Sequence, residues 1–356
     1  MLYRLLLAFP MMICLFWGIF FTVRCWASGK ELRIPVTMVL FYTAATILYF
    51  DHWLYFSGIR DSLAAWSYIT ANLSVYPLYY AYLRALTRSK RTVEEAVLLT
   101  PALLVSIFYP VNQHFGWLSE HTLFLMVRIC FAILVIWVWL RGWHLIRATQ
   151  RRMDNTYSDN RSFLLRPTHM LLVFIGATAV VSMVLNLIGR DFFVQETNVT
   201  APAVIMSLLL YGLGYVAAHT TLPQETVAPM EEDAEDKATT EETDELMHKI
   251  ATAMREQKLF ADPKLTIQDV ASAMNSNRTY ISNCINRYTG LNFSQYVARY
   301  RVEHAQEILR DKRYASDHDA LADAIALSGF SSDQNFYRVF KDATGLTPLQ
   351  YRKSKI

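Results

Sequence analysis

Seven apolar runs, each close to the length needed to cross a lipid bilayer, fill the first 221 residues and decide what this part of the chain can become. A helix rises 1.5 Å per residue, so roughly 20 mainly apolar residues cross the hydrocarbon core. The runs cover residues 5–23, 34–56, 63–82, 93–111, 123–140, 170–188 and 199–218. Hydrocarbon offers no partner to a backbone N–H or C=O, so segments of this kind must be helical. The bulk composition blurs the point: 53% of residues are apolar and 18% charged, against the ~25% charged that soluble domains usually carry. The charge is concentrated after residue 221. The first run is long for a signal peptide and no small-x-small cleavage site follows it, so it reads as an uncleaved span.

Orientation follows from Lys and Arg in the short loops. Arg24, Lys30 and Arg33 follow the first run. Arg84, Arg88, Lys90 and Arg91 follow the third, and Arg141, Arg147, Arg151, Arg152, Arg161 and Arg166 follow the fifth. The opposite side holds Arg4, Arg60 and Arg190. The expectation is an N-terminus outside, a C-terminus in the cytoplasm, and location in the cytoplasmic (inner) membrane of a bacterium. Polar groups within spans are costly and often functional. Arg128 in the fifth run, Asn72 in the third and Asn186 in the sixth are therefore the candidates for sensing an unknown small-molecule or membrane signal, with Arg128 suited to an anion. A snorkelling arginine is the structural alternative. Cys14, Cys25, Cys130 and Cys284 form no CxxC pair, and no disulfide framework or metal site is expected.

Residues 222–242, LPQETVAPMEEDAEDKATTEE, are acidic, contain two prolines and lack apolar periodicity. Such a stretch buries too little surface to offset its chain entropy and reads as a flexible linker. Helical periodicity returns near Leu246 at soluble lengths. Ile267, Val270, Ala271 and Met274 share one face, and Thr266 with Asp269 makes a capping-box pattern. After the turn NSNR, a helix TYISNCINRY turns Ile281 and Ile285 inward and is expected to turn Thr279, Ser282, Asn283 and Asn286 outward. A longer helix near 292–310 follows. A second pair then repeats the theme: ALADAIAL, Gly329, and SSDQNFYRVFKDAT with Ser331 or Ser332 as N-cap. In the latter Phe336, Val339 and Phe340 point inward and Gln334, Tyr337, Arg338 and Lys341 outward. Two short helices around a tight turn, the second with a polar face, suit a helix-turn-helix, and here there are two.

The stretch GFSSDQNFYRVFKDATGLTPLQYR resembles the C-terminal domain of AraC/XylS-type regulators: Gly-Phe, a Phe, Arg-x-Phe-Lys, Gly-x-Thr-Pro and Tyr-Arg. Gly290, Tyr296, Arg301, Ala305 and Leu309 fit the first unit, whereas Ile285 stands where the family usually has Phe. The resemblance covers about residues 249–352. It implies that both recognition helices enter the major groove of double-stranded DNA. By motif position Thr279, Ser282 and Asn283, then Gln334 and Arg338, would read bases, since Arg can bridge guanine and Gln adenine. Arg278, Arg287, Ser332 and Lys341 are the candidates for phosphate contacts.

The whole chain thus reads as all-α: a seven-helix transmembrane bundle (1–221), an acidic linker (222–242) and a soluble AraC-type DNA-binding domain (243–356). The expected function is a membrane-embedded one-component transcription regulator, its partners being DNA, the lipid bilayer and a second copy in a homodimer. A transporter or enzyme with a regulatory DNA-binding tail, and a passively anchored regulator, are the alternatives. No catalytic residue, cofactor or metal is expected: phosphate-loop, HExxH and GxSxG patterns are absent from the sequence.

Overall fold

The computed structural model describes residues 2–27, 32–59, 66–89, 93–159, 164–188, 196–220, 222, 240–314 and 316–355. The chain divides into two units, Met1–Arg147 with Leu164–Pro223 and Ala148–Phe163 with Gln224–Ile356. Both are all-α; among the described residues the one departure from helix ladders is an isolated bridge between Tyr157 and Thr266. Most of the linker expected at 222–242 lies outside the described residues, and the helix that follows begins at Thr240, slightly earlier than its apolar periodicity indicated. All four cysteines are free.

Helices appear at all seven apolar runs: α1 (Leu2–Ala27), α2 (Arg33–Phe56), α3 (Trp66–Leu86), α4 (Val93–Phe115), α5 (Glu120–Thr156), α6 (Arg166–Ile188) and α7 (Glu196–His219). Five are long and apolar enough to cross a membrane, over Arg4–Ala27, Arg33–Phe56, Val93–Phe115, Leu125–Thr156 and Thr200–His219, and Arg166–Val181 is a shorter apolar helix. The more polar α3, with Asn72 and five tyrosines, has a physical reason to differ. Ile69, Leu73, Tyr79, Tyr82 and Leu83 on it are almost wholly buried, since α3 packs on α2 and α4 and meets α5 through Tyr76–Phe131 and Tyr80–Trp137 ring contacts. A helix enclosed by its neighbours can be more polar than one whose side chains face outward. On α1 the converse holds: Leu5, Met12, Phe16, Ile19 and Val23 are all exposed. Water-soluble monomers rarely present apolar surface so continuously.

Close packing at small residues, a buried hydroxyl and ion pairs tie the helices of this unit together. The α1–α7 seam passes at Gly214, where an added Cβ would lie 2.2 Å from the Trp17 ring. Nearby, Tyr42 on α2 donates its hydroxyl to the Leu210 carbonyl of α7 at 2.7 Å. Ion pairs join α2 to α5 at one end: Arg84 reaches Glu94 at 2.7 Å and Glu95 at 3.0 Å, Arg33 reaches Glu95 at 3.1 Å, and Arg141 reaches Glu94 at 2.9 Å.

The second unit contains α8 (Thr240–Glu256), a 3-10 turn at Leu259–Ala261, α9 (Ile267–Ala273), α10 (Arg278–Thr289), α11 (Phe293–Arg310), α12 (Asp317–Leu327), α13 (Asp333–Thr344) and α14 (Pro348–Lys355). Thr266 caps α9 in the expected box with Asp269, and Asn292 caps α11 in a second box with Gln295. There are two cores. Ile250, Met254, Phe260, Val270, Ile281, Ile285, Phe293 and Val297 form the first. Ala305, Leu309, Ala320, Ala324, Phe336, Phe340 and Tyr351 form the second. The connecting helix α11 contributes its N-terminal half to one and its C-terminal half to the other; 18 residues make it ~27 Å long.

Gly329 turns the chain from α12 towards α13 at φ +74°, and a Cβ there would stand 2.4 Å from the Phe260 carbonyl oxygen. That oxygen belongs to the 3-10 turn beside the first core, so the second pair of helices is seated directly against the first. The obstructing atom is backbone and cannot swing away. Gly329→Ala should therefore lower the stability of this unit by about 2–4 kcal/mol, read as a shift to lower urea in the loss of helical signal; an unchanged midpoint would show that the seam is not tight.

Candidate nucleic-acid interface

Two helices, α10 and α13, are built alike. Each begins at a side-chain cap: the Asn277 carboxamide oxygen accepts from the Tyr280 amide at 2.7 Å, and the Ser332 hydroxyl accepts from the Asn335 amide at 3.3 Å. Each ends at a glycine whose amide returns to a helix carbonyl at 2.8 Å, Gly290 to Asn286 and Gly345 to Lys341. Inward, α10 sends Ile281, Cys284 and Ile285 and α13 sends Phe336 and Phe340, all at most 1% exposed. These contacts fix how each helix is rolled about its axis, and so which residues are left outside.

On α13 the exposed face carries Gln334, Tyr337 and Lys341, as expected. Arg338 is half-buried beside it, donating to the Asn335 carboxamide oxygen at 2.6 Å and lying 3.8 Å from Asp342. Ser332 is exposed as well as capping, and Ser331 is not the cap. On α10 the outward residues are Asn283, Asn286 and Arg287, with Thr279 and Arg278 half-buried. Ser282 departs from expectation. It is 8% exposed and does not belong to the outer face. Three residues separate it from Ile285, or about 60° short of a full turn, so it is drawn to the buried flank. The first recognition helix therefore offers a narrower polar face than its sequence pattern suggested.

The structure also brings together residues whose role the sequence pattern did not reveal. Arg301, midway along α11, is 1% exposed. Its Nε donates to the Phe260 carbonyl at 2.8 Å and one terminal nitrogen to the Asp262 carbonyl at 2.8 Å. The same nitrogen donates to the Ser158 hydroxyl at 2.9 Å, and the other to the Ser158 carbonyl at 3.3 Å. Burial pushes its pKa down to about 10, opposed by the Asp159 and Asp262 carboxylates. It remains charged at neutral pH. A charged residue amid the apolar positions Val297, Tyr300, Val302 and Ala305 was the available signal. Arg352 on α14 has a matching task in the second core: it pairs with Asp317 at 2.7 Å and donates to the Leu309, Asp311 and Tyr314 carbonyls.

Of the sensing candidates, Arg128 is exposed on α5 and Asn72 is half-buried on α3. Asn186 lies on α6 with its side chain outside the described residues. Among the described residues, no cluster of three His, Cys, Asp or Glu side chains could hold a metal.

Residues 270–354 match the family described as "Helix-turn-helix domain". The chain is 33% identical over 92 residues to the melibiose operon regulatory protein of Escherichia coli, covering 26% of this chain and 29% of that protein. It is 33% identical over 115 residues to the uncharacterized transcriptional regulatory protein YesN of Bacillus subtilis, covering 31% of this chain and 30% of that protein. The C-terminal part of this chain is an AraC-type helix-turn-helix domain. In that domain α9–α10 and α12–α13 are the two helix-turn-helix units. The chain spans under a third of the length of either relative. No solved structure matches the chain significantly.

His304, on α11 of the AraC-type domain, lies 3.4 Å from the Ser328 hydroxyl and against the Phe260 ring. Burial first, then Lys258, lowers its pKa below the ordinary 6.5, while Glu307 opposes. The unfolded chain therefore binds this proton more readily than the folded one. Stability should be full above about pH 6.5 and fall as the pH drops from there through the depressed folded value. His304→Gln should flatten that slope, measured as urea midpoints at pH 7.5 and at pH 5.5; an unchanged slope would assign the effect to other groups.

Proposed function

We propose that this chain is a membrane-embedded one-component transcription regulator. Residues 1–221 form seven spans in the bacterial inner membrane with the N-terminus outside, 222–242 act as an acidic tether, and 243–356 bind double-stranded DNA in the cytoplasm. The single observation that carries this reading is the presence, in one chain, of helices with outward apolar faces and of an AraC-type domain with two capped recognition helices. The names of the relatives, an operon regulator and a transcriptional regulatory protein, support the second half. The Lys and Arg bias of the loops supports the orientation.

On this reading Gln334 and Arg338 of α13 and Thr279 and Asn283 of α10 read base edges. Arg278, Arg287, Ser332 and Lys341 hold phosphates. Arg338 must first leave Asn335 and Asp342, a rearrangement that DNA itself can drive by offering a bidentate guanine edge. The bundle senses an unidentified signal, with Arg128, Asn72 and Asn186 as the residues to vary. Two tethered copies raise each other's effective concentration on DNA, which makes a homodimer the economical active form.

Genome-wide mapping of DNA bound by the full chain tests the reading. Discrete sites should be occupied by protein that resists alkaline extraction from membranes, and a reporter fused after Ile356 should be active in the cytoplasm. A reporter active only outside, or no occupied site, would overturn it. On a mapped site, Arg338→Ala should lose about 1–3 kcal/mol and relax preference at one position. Lys341→Ala should weaken binding to all sequences alike and reduce the salt slope by about 1.

A further inference from the structure

Three residues that follow α5 are folded into the AraC-type unit. Tyr157 forms a bridge with Thr266, and the Ser158 amide donates to the Leu265 carbonyl at 3.0 Å. Ser158 then supplies its carbonyl and hydroxyl to the buried guanidinium of Arg301, and its carbonyl also accepts from Ser294 at 3.4 Å. Tyr157 and Ser158 are each 2% exposed. One residue further, Asp159 is 7% exposed, and its two carboxylate oxygens accept from the Ser331 hydroxyl and from the Asn335 side-chain amide.

The second pair of contacts lies at the start of α13. Ser332 is its N-cap and Asn335 lies in its first turn. A recognition helix offers its N-terminal residues to DNA, and a helix N-terminus attracts anions through unpaired amides and the helix dipole. A DNA phosphate approaching this turn would meet a carboxylate already holding two of its donors. Anion repels anion, and the donors cannot fully serve both. Asn335 is also the acceptor for Arg338, so the acidic residue borders one of the proposed base readers.

We propose that Tyr157–Ser158–Asp159 is an autoinhibitory clasp, in which Asp159 occupies the DNA-facing start of α13 while Ser158 and Arg301 lock the segment in place. The clasp rests on the proposed reading of the chain as a DNA-binding regulator and supplies its switch. Because 157–159 follow directly on α5, itself a continuous helix from Glu120 to Thr156, a signal that shifts α5 along or about its axis pulls on the clasp. Release frees the Ser331 hydroxyl and the Asn335 side-chain amide from Asp159 and lets Arg338 turn to DNA. Coupling of this kind is reciprocal: whatever factor the clasp costs in DNA affinity, DNA must exact from the clasp.

The test uses the full chain in lipid nanodiscs with a long mixed-sequence DNA duplex, titrated at several salt concentrations. Asp159→Asn keeps the shape and removes the charge, and should bind roughly tenfold tighter than the natural chain, the scale of one charge-assisted contact. Hydrogen exchange on the natural chain gives a second reading that needs no variant. Saturating duplex should speed exchange at the Ser158 amide, measured on peptides spanning 153–163, even as α13 is protected. Equal or weaker binding by Asp159→Asn, or exchange at 157–159 that duplex leaves unchanged or slows, overturns the clasp while leaving the DNA-binding reading standing. If neither chain binds duplex in a salt-sensitive way, the reading itself fails and the clasp with it.

Discussion

The AraC-type unit depends on how one buried charge is satisfied. Arg301 sits in the middle of α11, where the first core ends and the second begins, and its donors are taken up by the Phe260 and Asp262 carbonyls and by Ser158. A guanidinium left without partners in such a place would cost several kcal/mol. Satisfying it obliges three separate stretches of chain to converge: the turn between α8 and α9, the centre of α11, and the residues after α5. Gly329 closes the same junction from the other side, backbone against backbone, with the Phe260 carbonyl common to both contacts. The two helix-turn-helix units are thereby joined through the single helix α11, which enters both cores.

The two units differ in what they show to their surroundings. On α1–α7 many large apolar side chains are exposed, Leu5, Ile19, Leu104, Ile133 and Leu208 among them, while Tyr42, Tyr79, Tyr82 and Arg84 are buried. In the AraC-type unit phenylalanines and isoleucines lie inside, and the two buried arginines there, Arg301 and Arg352, are hydrogen-bonded. Packed against α2 and α4, α3 carries Asn72 and five tyrosines, of which Tyr79, Tyr80 and Tyr82 are buried.

Much of the second unit was legible because its signals are local. A capping box at Thr266, the N-cap at Ser331 or Ser332, Gly329 between the second pair, and apolar residues at helical spacing all act within a few residues of themselves. Ser282 was misread for the same reason. A polar side chain three positions before a core isoleucine is assigned outward by type, but roll about the helix axis is set by the sum of contacts with α8, α9 and α11, and Ser282 lies buried.

By its own pattern, the sequence determined the all-α class, the positions of the seven apolar helices, the two helix-turn-helix units and most of their outward faces, since each follows from periodicity, caps and turn residues that operate over one or two helical turns. Only the tertiary structure decided that Ser158 and Asp159 join the AraC-type unit, that Arg301 is buried rather than solvated, and that Asp159 meets Ser331 and Asn335. The contacts of Ser158 with Arg301, and of Asp159 with Ser331 and Asn335, link residues more than 130 positions apart. A serine and an aspartate in a loop look the same to the local chain wherever they end up, and their meaning comes from the buried charge and the helix start that the fold carries to them.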